Sequence, residues 1–179
     1  MLQKSNMWRV LEVFFDNPDK QCYLIDIARK IGLAHTSVKK ILDDLTKERL
    51  IIKSVEKKGR RNFPLYKANI SEKKFKIYKR EFNIYSLLES GLVEHLQEKL
   101  SPKSIIVFGS YEHGDDNEES DIDIYLECKK EKIEIEKFKK KLKRKIELHF
   151  NEKFSNYPKE LKNNIINGFV LSGFLEGFK

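Results

Sequence analysis

Apolar residues recur at helical spacing in three segments near the start of the chain. In NMWRVLEVFFD (6–16), Met7, Val10, Leu11 and Phe14 share one face, and Asn17-Pro18 closes the segment. In YLIDIARKIGL, Leu24, Ile27, Ala28 and Ile31 form a second stripe, with Gly32 placed to end the helix. AHTSVKKILDDLTKERLI predicts a third helix, with Val38, Ile41, Leu42 and Leu45 facing inward. IIKSVEKKGRRNFPLYKANI then reads as two short strands around the basic turn KKGRRN. Residues 71–100 return to a helical pattern, with Phe75, Tyr78, Phe82, Tyr85, Leu88, Leu92 and Leu96 as the inward stripe of a helical bridge. Ile105-Ile106-Val107-Phe108 is a β-branched run of the kind that makes a buried strand, and DIDIYLE resumes strand alternation after a polar loop. KKEKIEIEKFKKKLKRKIELHF predicts a further helix and strand, Phe138 and Leu142 pointing inward and the run 137–145 forming a solvated basic face. The fold class expected from these elements is α+β.

Composition narrows the setting. The chain has 179 residues, 40% of them hydrophobic, which is enough for a packed core and argues against wholesale disorder. Its apolar runs fall well short of the ~20 residues that span a bilayer, and MLQKSNMWRV lacks a secretory apolar core. No membrane association and a cytoplasmic location are expected. Cys22 and Cys128 lie far apart without a CxxC pair, so neither a disulfide framework nor a zinc cluster is indicated. His35, His95, His113 and His149 show no metal-ligand spacing among themselves.

Charge divides the chain. The net charge is +8, but residues 1–80 carry 20 Lys+Arg against 9 Asp+Glu, a net +11, while residues 81–179 carry 16 against 19, a net −3. A basic part followed by a mildly acidic one suggests two tasks, one of them with a polyanion.

The second and third helices, joined by a short glycine-containing turn, match a helix-turn-helix, and three helices followed by a β-hairpin resemble a winged helix-turn-helix DNA-binding domain over residues 1–70. The resemblance implies that His35, Thr36, Ser37, Lys39 and Lys40 lead the recognition helix into a major groove of double-stranded DNA. Lys57, Lys58, Arg60 and Arg61 would set cations at the wing tip against phosphates.

In the acidic half, Gly109-Ser110 ends the first strand at a turn where glycine lets the backbone approach a ligand. Asp121 and Asp123, two apart, face one side of the second strand while Ile122 and Ile124 face the other. Paired carboxylates repel unless a cation lies between them, and oxygen donors suit Mg²⁺ or Mn²⁺. Gly109-Ser110, ten residues, then Asp121-x-Asp123 resembles the signature of the nucleotidyltransferase superfamily with the polymerase-β-like palm, most nearly the minimal nucleotidyltransferases.

That resemblance implies a mixed sheet with flanking helices over residues 84–179, joined to the first domain by a helical connection at 71–83. It implies two metal ions held by Asp121, Asp123 and Glu147 as catalytic ligands, and a nucleoside triphosphate such as ATP bound at Gly109 and Ser110. Glu147 matches the family's third carboxylate, on the strand IELHF; His149 shares its strand face, from which it could line the pocket, and is read in preference as a structural or exposed histidine. Where many relatives continue Gly-Ser with an Arg-Gly turn, this chain has Tyr111-Glu112-His113-Gly114. The function implied is transfer of a nucleoside monophosphate, AMP among the candidates, to a protein or nucleic-acid hydroxyl. Small relatives with this spacing include antitoxins that modify a HEPN-type toxin, which makes such a toxin a candidate partner. The alternative is a DNA-binding regulator whose palm is a nucleotide sensor or an inactive scaffold. Winged-helix repressors often dimerise, and a homodimer is the expected assembly.

Overall fold

The computed structural model describes residues 5–152, 154 and 157–176, and the chain divides into two compact units, Met1–Lys79 and Arg80–Lys179. Among the described residues no helix is long and apolar enough to cross a membrane.

The first unit runs α1 (Asn6–Asp16), β1 (Cys22–Tyr23), α2 (Leu24–Ile31), α3 (His35–Lys47), β2 (Ile51–Lys58) and β3 (Arg61–Ala68). Ser5 caps α1 by accepting a hydrogen bond from the Trp8 amide at 3.2 Å, the usual way an orphan N–H at a helix start is satisfied. The stripes read from the sequence are inward: Val10, Leu11, Phe14, Ile27, Ala28, Ile31, Val38, Leu42 and Leu45 are all buried. Met7 is 38% exposed and Leu24 and Ile41 are only partly buried, while Phe15 takes a core place beside Trp8, with ring centroids 5.7 Å apart. The hairpin of β2 and β3 is antiparallel from Ile51↔Ala68 to Lys58↔Arg61. The two-residue strand β1 adds to its other side, pairing Cys22↔Tyr66 and Tyr23↔Leu65; it is too short to carry an alternation and so left no pattern in the sequence.

Helix α4 (Lys73–Ser90) runs across the boundary between the units and is followed by α5 (Leu92–Leu100). The helical bridge expected over 71–100 is built of two helices. Gly91 sits in the left-handed region at φ 81°, ψ 12°, and the Ser90 hydroxyl donates to the Leu87 carbonyl at 2.6 Å while accepting from the Leu92 amide at 3.0 Å. The expected stripe needs correction. Leu88 is 41% exposed, whereas Leu87, next to it, is fully buried, and the polar Asn83 is buried too. Tertiary hydrogen bonds, not apolar spacing, set this face.

The second unit continues with β4 (Ser104–Phe108), α6 (Ser110–His113), β5 (Ile122–Leu126), α7 (Glu136–Leu142), β6 (Ile146–Phe150), α8 (Lys159–Ile166) and β7 (Phe169–Gly173). Its sheet has the order β6-β5-β4-β7; β5 and β6 are parallel, the other pairs antiparallel. This is a mixed sheet with flanking helices. Strand alternation splits its side chains between two layers. Ile105, Val107, Ile122, Ile124, Leu126 and Ile146 pack with Leu87, Leu92, Leu96 and Phe138 on one face. Ile106, Phe108 and Tyr125 pack with Phe154 and Ile165 on the other. Among the described residues the first cluster has 13 buried members and the second 5. The candidate chemistry lies on the face of the second cluster.

Candidate functional site

Strand β5 carries Asp123 between Ile122 and Ile124, both fully buried, so the carboxylate turns away from the larger core. Register then selects its neighbours. Asp123 pairs with Phe108 on one side and with Glu147 on the other. Two positions along β6, His149 returns to the Glu147 face. One ligand atom from each of Asp123, Glu147 and His149 lies within 4.8 Å of the other two. His149 Nε2 is 3.0 Å from Asp123 Oδ1, and its ring packs on Phe108 with centroids 5.1 Å apart. Glu147 is exposed, while Asp123 and His149 are partly buried.

Asp121 precedes β5 and is not one of this trio. Its Oδ1 is buried with no hydrogen-bond partner among the described residues. Such an oxygen is costly to leave without a counter-charge or donor. Gly109, which follows β4, approaches the site most closely: a Cβ placed on it would lie 3.0 Å from Asp123 Oδ2. Its φ of 81° and ψ of −160° belong to a region essentially reserved for glycine. Ser110 is exposed at the start of α6. The donor set of carboxylates and one imidazole, the orphaned Asp121 oxygen and the glycine cradle together fit a divalent cation.

The segment after Ser110 is the one-turn helix α6 where the sequence suggests a polar loop. Tyr111 explains the difference, because its ring is buried in the larger core and its carbonyl accepts from Asn83 Nδ2 at 2.7 Å. The same Asn83 amide donates to Asp116 Oδ1 at 2.7 Å, and the Arg144 guanidinium lies 3.8 Å from Asp116. Glu112, with a side chain that is 0% exposed, accepts from Arg80 Nη2. His113 Nδ1 lies 2.7 Å from the other Glu112 oxygen. Two of the acidic residues beyond Ser110, Glu112 and Asp116, are thus internal and paired, while Asp115, Glu118 and Glu119 are exposed. Next to Asp123 along β5, Tyr125 is fully buried, and its ring lies 5.6 Å from Tyr157 and 6.2 Å from Phe154. Burial, reinforced by the negative charge of Glu127, pushes the Tyr125 phenol well above its usual range, so it stays protonated.

In the first unit, His35, Thr36, Ser37, Lys39 and Lys40 are all exposed along the first turns of α3. Lys57, Lys58, Arg60 and Arg61 are exposed at the hairpin end. Lys58 donates to the Tyr23 hydroxyl at 2.7 Å and pairs with Glu56 at 3.2 Å. Tyr23 also donates to Glu56, and these contacts with Tyr23 and Lys58 hold the Glu56 carboxyl below the usual range.

The structure brings together Asp123 and Glu147 of the residues read from the sequence, with Gly109 over Asp123. It adds His149, which sequence reasoning set aside. The signal was present: alternation in IELHF puts His149 on the Glu147 face, but only the β5–β6 register brings it to Asp123.

Residues 89–172, just under half of the chain, match the family model for a nucleotidyltransferase domain. The matched span includes Gly109, Ser110, Asp121, Asp123, Glu147 and His149, and it supports transfer of a nucleotidyl group as the general activity. No curated protein matches the chain. Among solved structures, a possible transcriptional regulator from Methanosarcina mazei Go1 is similar at 16% identity and a TM-score of 0.38, covering 54% of this chain and 79% of that one.

Proposed function

We propose that the chain is a metal-dependent nucleotidyltransferase that moves a nucleoside monophosphate, AMP among the candidates, from an NTP to a hydroxyl of a protein or nucleic acid. Its first unit is proposed to be a winged helix-turn-helix that reads double-stranded DNA. The observation that carries the transferase reading is Asp123 in register with Glu147 beneath the Gly109 turn, inside the segment that matches the nucleotidyltransferase domain.

Asp121, Asp123 and Glu147 would hold Mg²⁺ or Mn²⁺. Such ions supply charge neutralisation of the phosphates and a lowered pKa for the acceptor hydroxyl. The protein's part is positional. Gly109, having no side chain, leaves the Asp123 carboxylate unobstructed, and the exposed Ser110 hydroxyl would offer a donor to a phosphate. The paired Glu112 and Asp116 anchor α6 and the following loop through Arg80, Asn83 and Arg144. With those two carboxylates neutralised by internal partners, the loop repels a triphosphate less than its composition suggests.

The element order helix, short strand, helix, helix, hairpin supports the DNA-reading proposal, as do the net +11 of residues 1–80 and the exposed cations of α3 and the hairpin. Coupling of a DNA reader to a transferase is what an antitoxin that represses its own operon and modifies a HEPN-type toxin would need. The test is incubation of the full chain with each labelled NTP, Mg²⁺ or Mn²⁺ and candidate acceptors, measuring label transfer and pyrophosphate. Wild type is expected to release pyrophosphate and label an acceptor, and Asp123→Ala and Glu147→Ala to abolish both while keeping native circular dichroism. Nucleotide binding that alters DNA affinity without pyrophosphate release would instead establish a sensor.

A further inference from the structure

We propose that His149 is itself a ligand of the metal held by Asp123 and Glu147, and that its nitrogen makes the site favour Mn²⁺-like first-row ions over Mg²⁺. The proposal rests on the transferase reading only in sharing its metal site.

Geometry supplies the first support. Two atoms bound to one ion at about 2.1 Å and at right angles are ~3.0 Å apart, and opposite each other ~4.2 Å apart. His149 Nε2 and Asp123 Oδ1 are 3.0 Å apart, and the ligand atoms of Asp123, Glu147 and His149 are all within 4.8 Å of one another. An ion entering between them needs only small side-chain rotations to draw the trio in. The ring is also presented by the fold: it is wedged against Phe108 at 5.1 Å, with the planes tilted by 56°, and its side chain is 21% exposed. Asp123 and Glu147 are directly opposite on parallel strands, and Tyr125 and His149 are the next pair on the same face. The imidazole therefore reaches the carboxylates from one side, while the outer side of Glu147 stays open to solvent and substrate.

Donor chemistry supplies the second. Mg²⁺ is hard, dehydrates reluctantly and takes oxygen ligands, whereas imidazole suits the first-row transition ions. An all-carboxylate site gives up little in choosing Mg²⁺; one with a nitrogen donor does. Three preformed ligands from the chain would also let an ion bind before nucleotide arrives.

The alternative role for His149 is positioning: Nε2–H donating to Asp123 and orienting the carboxylate. The two roles differ in which metals they affect. Nucleotide-free full-length protein is titrated with Mn²⁺, followed by electron paramagnetic resonance of the free ion, and with Mg²⁺ in competition. Bound Mn²⁺ is then examined by pulsed resonance for coupling to an imidazole nitrogen. Wild type is expected to bind Mn²⁺ at least about tenfold more tightly than Mg²⁺ and to show the nitrogen signal. In His149→Gln, which keeps a polar side chain without a ligating nitrogen, Mn²⁺ affinity is expected to fall about tenfold or more and Mg²⁺ affinity by less than about threefold. His149→Ala should lose the nitrogen signal entirely; circular dichroism checks that each variant folds.

Equal losses for both metals, an absent nitrogen signal in wild type, or no metal binding would each overturn the proposal. Pyrophosphate release without nitrogen coupling would leave the transferase reading standing and remove this one. Nitrogen-coupled Mn²⁺ in a protein that turns over no nucleotide would do the reverse.

Discussion

Replacing Gly109 by alanine tests whether the turn after β4 is held against Asp123. Two costs add. The φ of 81° and ψ of −160° lie where a side chain costs about 1–3 kcal/mol. The new Cβ would also lie 3.0 Å from Asp123 Oδ2, tighter than ordinary contact, and the partly exposed carboxylate must shift by a few tenths of an ångström. Gly91→Ala in the same unit is the control. Its φ of 81° and ψ of 12° are plain left-handed helix, and the nearest atom to an added Cβ is Phe138 Cε1 at 4.0 Å, so about 1 kcal/mol is expected. Both substitutions stiffen the unfolded chain alike, and that term cancels between them. For a unit of this size 1 kcal/mol corresponds to ~4–8 °C in Tm. Gly91→Ala should therefore lower the melting point of the second unit by about 5 °C, and Gly109→Ala by about 10–20 °C. Calorimetry of the full chain reads the stability, and Mn²⁺ titration reads the site. Only Gly109→Ala should weaken Mn²⁺ binding, because only it displaces a ligand carboxylate. Equal melting points for the two variants, with Mn²⁺ affinity unchanged in both, would show that the turn relaxes freely and would refute the reasoning.

Asp116→Ala removes the acceptor of the Asn83 amide and the carboxylate 3.8 Å from the Arg144 guanidinium; breaking this buried ion pair should cost about 3–5 kcal/mol in urea denaturation, against less than about 0.5 kcal/mol for exposed Asp115→Ala. Duplex DNA binding by the first unit, followed by fluorescence anisotropy, should weaken steeply with salt, and Lys40→Ala or Arg60→Ala should each reduce the slope of log affinity against log salt by about 1. Failure to bind any duplex at low salt, genomic fragments included, would remove the DNA reader. Burial raises both the Cys22 and the Cys128 thiol pKa, so alkylation at pH 8 should be slower than for a free thiol near pKa 8.5 and should equalise in urea. The unfolded chain then sheds those protons first, and stability is expected to decline as pH rises past about 9; alkylation in the native protein as fast as in urea would contradict this.

Local pattern reached far into this protein. The three early helical faces needed only the 3.6-residue period, and Val10, Val38 and Leu42 point inward as it requires. Ile105-Ile106-Val107-Phe108 and DIDIYLE declared their strands through β-branched runs and alternation, and the spacing from Gly109 to Asp123 marked the candidate site. Adjacent positions on α4 show where pattern stops. Leu87 is buried and Leu88 exposed, because the helix is turned by the Asn83 bonds to Tyr111 and Asp116, residues that lie far along the chain.

The site itself has the same division. Which residues bear carboxylates, and which side of its own strand each faces, follows from the sequence, since neighbours on a strand alternate by covalent geometry. That Asp123 stands opposite Glu147, that His149 reaches Asp123 Oδ1, and that Gly109 closes over Oδ2 depend on how β4, β5 and β6 pair. A shift of one residue in either pairing would send half of these groups to the other face. Register is fixed by packing of both sheet faces and by buried ion pairs between distant segments. Those are properties of the folded chain, and no window of sequence contains them.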